Sequence, residues 1–182
     1  WCSEAENIKK VVRKNGITSI GLKAFMGCTK IASVTIPEGV TKIKMNAFNK
    51  CTSLTSLVLP STLKEIAMSV FSECSSLKDI VLPDSLEVLR NGAFKNCTSL
   101  TTITIPKNVK RIENNIFEGC TDLKEINVSQ DNATYSSYEG VLCDKDKTVI
   151  MIFPAGKEVT TYEVPSSIKK IGDTAFIYNE NL

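Results

Sequence analysis

Apolar positions recur along this chain in short alternating bursts that return every 23 residues. Residues 54–76 show the unit plainly: LTSLVLPSTLKEIAMSVFSECSS. Leu54, Leu57 and Leu59 bracket Ser56 and Val58, and this alternation predicts a strand with its leucines inward. Pro60 ends the strand by removing a backbone donor. Residues 63–66 predict a second brief extended piece with Leu63 and Ile66 inward. Residues 69–74 are too few for a regular helix and predict a single helical or 3₁₀ turn that carries Phe71 inward.

The same unit repeats along most of the chain. Phe25, Phe48, Phe71, Phe94 and Phe117 keep the 23-residue step, as do Cys28, Cys51, Cys74, Cys97 and Cys120, and Pro37, Pro60, Pro83 and Pro106. A fixed period of this length predicts a solenoid in which matching positions stack coil on coil. Its strands are then parallel and about 4.8 Å apart, with the phenylalanines forming an internal spine. Coils start near Ile8, Ile31, Leu54, Leu77, Leu100, Leu123 and Val159. The first is degenerate, with Arg13 and Lys14 where Leu-Pro is usual, and residues 1–7 are expected to add a polar cover.

One coil breaks the period. Leu123 and Val159 are 36 residues apart, one repeat plus 13. Within residues 129–158 a polar stretch, 130–138, precedes two apolar runs, 140–144 and 148–153, about a Lys145-Asp146-Lys147 turn. Two such runs around a short charged turn predict a β-hairpin. The chain is expected to form a single domain, 1–182, and to be a fragment of a longer protein, because it stops where another repeat would begin.

Composition narrows the function classes. Of 182 residues, 42% are hydrophobic and 23% charged, the balance of a folded chain. A net charge of +2 gives no reason to expect nucleic acid or acidic membranes as partners, and no apolar run is long enough to span a bilayer. There is no histidine, which removes Ser-His-Asp and Cys-His catalysis and most zinc sites. No cofactor motif, metal-ligand spacing or catalytic constellation is present. Asp144 and Asp146 lack the further oxygen ligands of a calcium loop and read as turn charges. The periodic cysteines read as a buried ladder of small apolar thiols. Cys2 lies outside that ladder and Cys143 inside the insertion, so these two are the thiols expected to pair or react.

The consensus L-x-x-I-x-[LI]-P-x-x-[VL]-x-x-I-x-x-x-A-F-x-x-C resembles the BspA-like, Treponema-type leucine-rich repeat, the LRR_5 class. Its best copies are residues 31–53, 54–76, 77–99 and 100–122, and the segment from Tyr138 to Pro154 is similar to a variant seen in such arrays. The resemblance implies a β-rich α/β leucine-rich-repeat solenoid of 23-residue coils, with parallel strands and short helical or 3₁₀ turns. It also implies a non-enzymatic binding module, secreted or on the cell surface, that contacts a protein or host-surface macromolecule as an adhesin. The alternative is a structural spacer that displays neighbouring domains. Fold alone does not fix the choice.

Three surfaces are candidates for recognition. The first is the strip of outward strand positions: Ser33, Thr35, Ser56, Val58, Asp79, Val81, Thr102, Thr104, Glu125, Asn127, Thr161 and Glu163. It carries no aromatic anchor of the kind that dominates interfaces. The second is a row of Lys42, Lys64, Lys110, Arg111, Lys169 and Lys170, interrupted by Glu65 and Glu87. The third is the insertion, with Tyr135 and Tyr138 near its polar tip. Three N-x-[ST] sequons stand at Asn96, Asn127 and Asn132.

Overall fold

The computed structural model describes residues 10–12 and 16–182. The polar cover at 1–7, Cys2, Ile8 and the Arg13-Lys14 irregularity lie outside the described residues. Two walls of short parallel strands wind around one core. The first wall holds β1 (Lys10–Val12), β3 (Ser33–Thr35), β5 (Ser56–Val58), β8 (Thr102–Ile105) and β10 (Glu125–Val128). The second holds β2 (Ser19–Ile20), β4 (Lys42–Ile43), β6 (Glu65–Ile66), β7 (Val88–Leu89) and β9 (Arg111–Ile112). The second wall is one continuous sheet, β2-β4-β6-β7-β9, in strict 23-residue register. The first is split into β1-β3-β5 and β8-β10, because residues 77–83 do not form a strand between them.

The third segment of each coil is a turn, not the helical or 3₁₀ turn that its sequence predicts. In the five coils from Lys23 to Gly119 two residues of this turn are left-handed. One row is Lys23, Asn46, Ser69, Gly92 and Asn115, and the other is Gly27, Lys50, Glu73, Asn96 and Gly119. A left-handed residue every four positions cannot belong to a right-handed helix. The backbone bonds alternate instead. Phe48 N–H donates across to Val70 O, 2.9 Å, whereas Asn49 N–H donates locally to Asn46 O, 3.2 Å. Gly119 meets this geometry at close quarters, since a Cβ there would fall 2.1 Å from Asn96 Oδ1.

The core is the expected spine. Phe48, Phe71 and Phe94 are fully buried, and Phe117 is nearly so. From Phe25 to Phe117 consecutive rings stack with centroids 5.0, 5.7, 5.5 and 5.8 Å apart. A buried phenylalanine contributes about 1.5–3 kcal/mol, and no coil buries both faces without its neighbours. Leu54, Leu63, Leu77 and Leu86 complete the interior.

The insertion forms the predicted hairpin and one strand more. β11 (Tyr135–Tyr138), β12 (Val141–Asp144), β13 (Val149–Ile152) and β14 (Lys170–Ile171) make a four-stranded sheet. β11-β12 and β12-β13 pair antiparallel, and β13-β14 returns to parallel pairing. β11 falls on a segment whose polar sequence gives no strand signal. The spine resumes beyond it with Phe153 and Phe176, centroids 4.7 Å apart, and Tyr162 edge-on to Phe153 at 4.9 Å.

Candidate binding surface

Parallel register places the strip as expected in its early coils. Ser33 lies beside Ser56, and Thr35 beside Val58. Thr102 lies beside Glu125, and Thr104 beside Asn127. Their side chains face away from a core built by Val34, Ile103 and Ile126, as strand alternation requires. Asp79 and Val81 also face out, Val81 at 84% exposure, but from the non-strand segment that interrupts the wall. Thr161 and Glu163 are exposed yet stand apart from the Asn127 row, because the insertion comes between them.

That intrusion adds what the strip lacks. Ile126 N–H donates to Gly140 O at 2.8 Å, which docks the β11-β12 turn against β10. Gly140 is left-handed, and a Cβ there would lie 3.0–3.2 Å from Glu125. An open cleft of about 710 Å³ results. It is lined by Glu125, Asn127, Thr161 and Glu163 of the strip together with Tyr138, Glu139, Lys157 and Tyr162. Lys157 Nζ donates to Glu139 O at 2.7 Å, and Lys147 Nζ sits 5.6 Å from the Tyr138 ring centre. The structure thus brings an aromatic ring to the strip that a reading of strand positions alone misses. The 36-residue spacing marks where the strip is interrupted, but not what fills the gap.

Tyr135 is not a recognition residue. It is buried, and its hydroxyl accepts Ile112 N–H at 2.9 Å and donates to Lys110 O at 3.5 Å. Burial pushes its phenol above the ordinary range. Asn132, the third sequon, is fully buried. Its Nδ2 donates to Pro106 O and Val109 O at 2.7 and 3.1 Å, and its Oδ1 accepts from Thr134 and Tyr135 N–H, both at 2.8 Å. Asn132 therefore pins the insertion to the preceding coil and is closed to glycosylation in the folded chain. Asp144 closes the hairpin turn, accepting Thr148 and Val149 N–H at 2.7 Å and the Thr148 hydroxyl at 2.6 Å.

The basic row is largely neutralised within the fold. Lys42 pairs with Glu65 at 2.9 Å, and Lys64 and Lys110 with Glu87 at 3.2 and 3.6 Å. Arg111 pairs with Glu113 at 3.0 Å. Arg90 bridges Glu65 and Glu113 at 3.0 and 2.8 Å, spanning three coils. Burial alone would raise the Glu65 carboxyl, but hydrogen bonds from Lys42 and Arg90 outweigh it and hold it below the usual range.

The thiols divide differently from expectation. Cys51, Cys74, Cys97 and Cys120 are free and buried, as a ladder should be. Cys28, at the ladder's first position, is disulfide-bonded. Cys143, expected to be reactive, is free and fully buried, with its thiol pushed up by desolvation and by Asp144.

Comparison with known proteins places this architecture. The family model described as the BspA type leucine rich repeat region matches six copies across residues 2–124. A leucine-rich repeat protein from Eubacterium ventriosum is 32% identical with a TM-score of 0.90, over 99% of this chain and 48% of that one. A leucine rich cell surface protein from Faecalibacterium prausnitzii is 27% identical with a TM-score of 0.67, over 88% and 55%. The pneumococcal vaccine antigen PcpA is 25% identical with a TM-score of 0.73, over 98% and 54%. The chain thus spans about half the length of these solved relatives. A search of curated proteins finds no match. With six copies of its repeat, the spine and parallel register that those copies dictate, and a match to solved solenoids end to end, the chain belongs to the BspA-type leucine-rich repeat family.

Proposed function

We propose that this chain is one continuous solenoid domain of a secreted or cell-surface protein, and that it binds a macromolecular partner without catalysis. The observation that carries this reading is the cleft, where strip residues Glu125, Asn127, Thr161 and Glu163 meet Tyr138 on a rigid scaffold. Binding residues commonly sit on irregular segments held by such a frame. The similarity to a cell surface protein and to a vaccine antigen supports an extracellular location. The partner is a protein or another surface macromolecule, not nucleic acid, and the absence of histidine and of any nucleophile–base arrangement supports a non-enzymatic role.

The test is a protein and glycan array probed with the folded domain, followed by Tyr138→Ala and Glu163→Lys. Retention of a partner that both variants lose by tenfold or more supports the cleft. Partners bound equally well by the variants exclude it. The second reading, a spacer that displays neighbouring domains, rests on the ion pairs that link successive coils. It predicts that charge reversal along the whole strip leaves attachment unchanged.

A further inference from the structure

Five glutamates of the regular coils take their counter-charge from the coil before. Glu65, Glu73, Glu87, Glu113 and Glu118 pair with Lys42, Lys50, Lys64, Arg90 and Lys95 at 2.9, 3.8, 3.2, 2.8 and 2.9 Å. Each pair is one 23-residue step apart, so the register that stacks the coils also sets carboxylate beside cation. Glu125, Glu139 and Glu163 escape this arrangement. All three are exposed, and among the described residues none of them has an ion pair. Glu125 lies beside Thr102 in the strand register, where no charge answers it. Its Oε2 accepts Asn127 Nδ2 at 3.3 Å. Glu139 sits in the insertion, and Glu163 in the coil that follows it.

These three carboxylates line one and the same cleft, the open one of about 710 Å³. Lys157 is the one cation in that lining, and its Nζ is committed to Glu139 O at 2.7 Å. Three carboxylates therefore stand against one ammonium. Two aromatic rings share the lining, Tyr138 and Tyr162. Tyr138 already keeps a cation near its ring, with Lys147 Nζ 5.6 Å from the centre. The Tyr162 hydroxyl is buried and has no hydrogen-bond partner among the described residues. Burial first, then the neighbouring Cys143, Glu139 and Tyr138, push this phenol up to about 12. It stays neutral at ordinary pH, with an oxygen free to accept an N–H.

We infer that the occupant of this cleft is an arginine-bearing peptide segment of a partner protein. The inference rests on the reading of the cleft as the binding surface, and adds the chemistry of what it binds. A guanidinium is planar, stacks on a tyrosine face and donates a fork of N–H groups to carboxylates. Its charge also relieves the repulsion among Glu125, Glu139 and Glu163. The cleft has the size of sites that enclose a small ligand, about 300–1,000 Å³. A single metal ion does not match the lining. Among the described residues no three acidic or thiol groups stand close enough together to hold one. Anionic partners, nucleic acid and acidic glycans included, meet like charge.

The test is a ¹⁵N NMR titration of the whole chain with acetyl-Gly-Arg-Gly-Arg-Gly-amide. The same peptide with citrulline for arginine, spermidine and calcium chloride are the comparison ligands. The expected result is saturable amide shifts at Tyr138, Gly140 and Glu163, absent at Gly92 and Phe94. The citrulline peptide, which keeps the shape and loses the charge, should bind about tenfold more weakly or worse. Glu139→Gln with Glu163→Gln should weaken the arginine peptide by about fivefold or more, and added salt should do the same. Both side chains are exposed and unpaired, so the fold does not depend on them. No shift up to the solubility limit, or equal binding of the citrulline peptide, overturns the inference. Equal shifts with spermidine or calcium overturn it in favour of diffuse attraction for any cation. A macromolecular partner lost on Tyr138→Ala but untouched by the two glutamine substitutions leaves the cleft standing as the binding surface and overturns its arginine chemistry. Selective binding of the arginine peptide by a domain that retains no array partner supports the chemistry and puts the failure on the earlier reading.

Discussion

The thiol of Cys97 donates to the carbonyl of Phe71 at 3.1 Å, and that same carbonyl accepts Cys74 N–H at 3.1 Å. The bond recurs from Cys51 to Phe25, Cys74 to Phe48 and Cys120 to Phe94 at 3.1–3.2 Å. The cysteine is thus both filler and donor, tying each coil to the phenylalanine of the one before. Cys97→Ala should cost about 1–2 kcal/mol, by lost packing and an under-satisfied carbonyl. Denaturant unfolding with an unchanged slope measures it, and an unshifted midpoint would show the bond to be idle.

Burial pushes Cys51 and Cys120 up to about 12, from 9.0. Cys74 and Cys97 are raised as well, chiefly by desolvation. A folded-state value raised above the unfolded one leaves stability intact below pH 9 and removes it as pH climbs from 9 towards 12. Base should therefore unfold the chain cooperatively in that window, and Cys97→Ala should soften the pH dependence. Native thiols should resist alkylation at pH 8 until denaturant is added, because the thiolate is the nucleophile.

Phe71 lies between Phe48 and Phe94 with centroids 5.7 and 5.5 Å away. Truncation to alanine leaves a cavity that rigid neighbouring coils cannot fill. The expected cost is about 3–5 kcal/mol, read from thermal or denaturant melts. An unshifted melt would contradict the stacked spine.

Asn132→Ala removes the donor to Pro106 and Val109 and the acceptor of two N–H groups. Stranding several buried backbone groups should cost about 2–4 kcal/mol, with hydrogen exchange rising first in β11 and β12. Tyr135→Phe deletes only the hydroxyl, and about 1 kcal/mol is expected. Equal effects from the two variants would place the strength of this anchor in packing instead.

Arg90→Met leaves Glu65 and Glu113 without their shared partner. The Glu113 carboxyl is held low by Arg90 and by Asn91 N–H. For carboxyls lowered in the fold, stability is present above their unfolded value near 4.5 and is lost as pH falls below it. The variant should therefore narrow the gap between stability at pH 7 and at pH 3, and high salt should shrink its effect. A variant with the same acid profile as the unaltered chain would rule the network out as a source of stability.

Where a residue's place follows from period alone, the sequence showed it. Phe48, Leu63, Ile66 and Cys74 keep their step, and each lands in the core. The left-handed positions were hidden because Lys23, Ser69 and Glu73 occupy them as well as Gly92 and Asn115. Residue type gives no signal when inter-coil hydrogen bonds impose the conformation. Strand β11 was hidden for a similar reason. Its pairing with β12 comes from the Asn132 anchor and not from an apolar rhythm. Val81 and Asp79 have the composition of their strand-forming counterparts, yet their segment forms no strand and keeps a backbone bond from Thr101 N–H to Lys78 O at 3.0 Å. At the cleft, Glu125 and Asn127 were legible from strand alternation. Tyr138 was legible as a candidate of the insertion, but not its place beside the strip, which depends on where Gly140 turns the chain.

Cys28 differs from the four cysteines that follow it in being cross-linked. In an array sustained by nearest neighbours, melting starts at an extremity, where a coil has support on one side only. The cross-link at Cys28 adds a covalent restraint to one rung of the ladder, while Cys51, Cys74, Cys97 and Cys120 hold by packing and hydrogen bonds. Reduction should accordingly loosen the coil of Cys28 before the coils of Cys74 and Cys97, as amide exchange residue by residue would show.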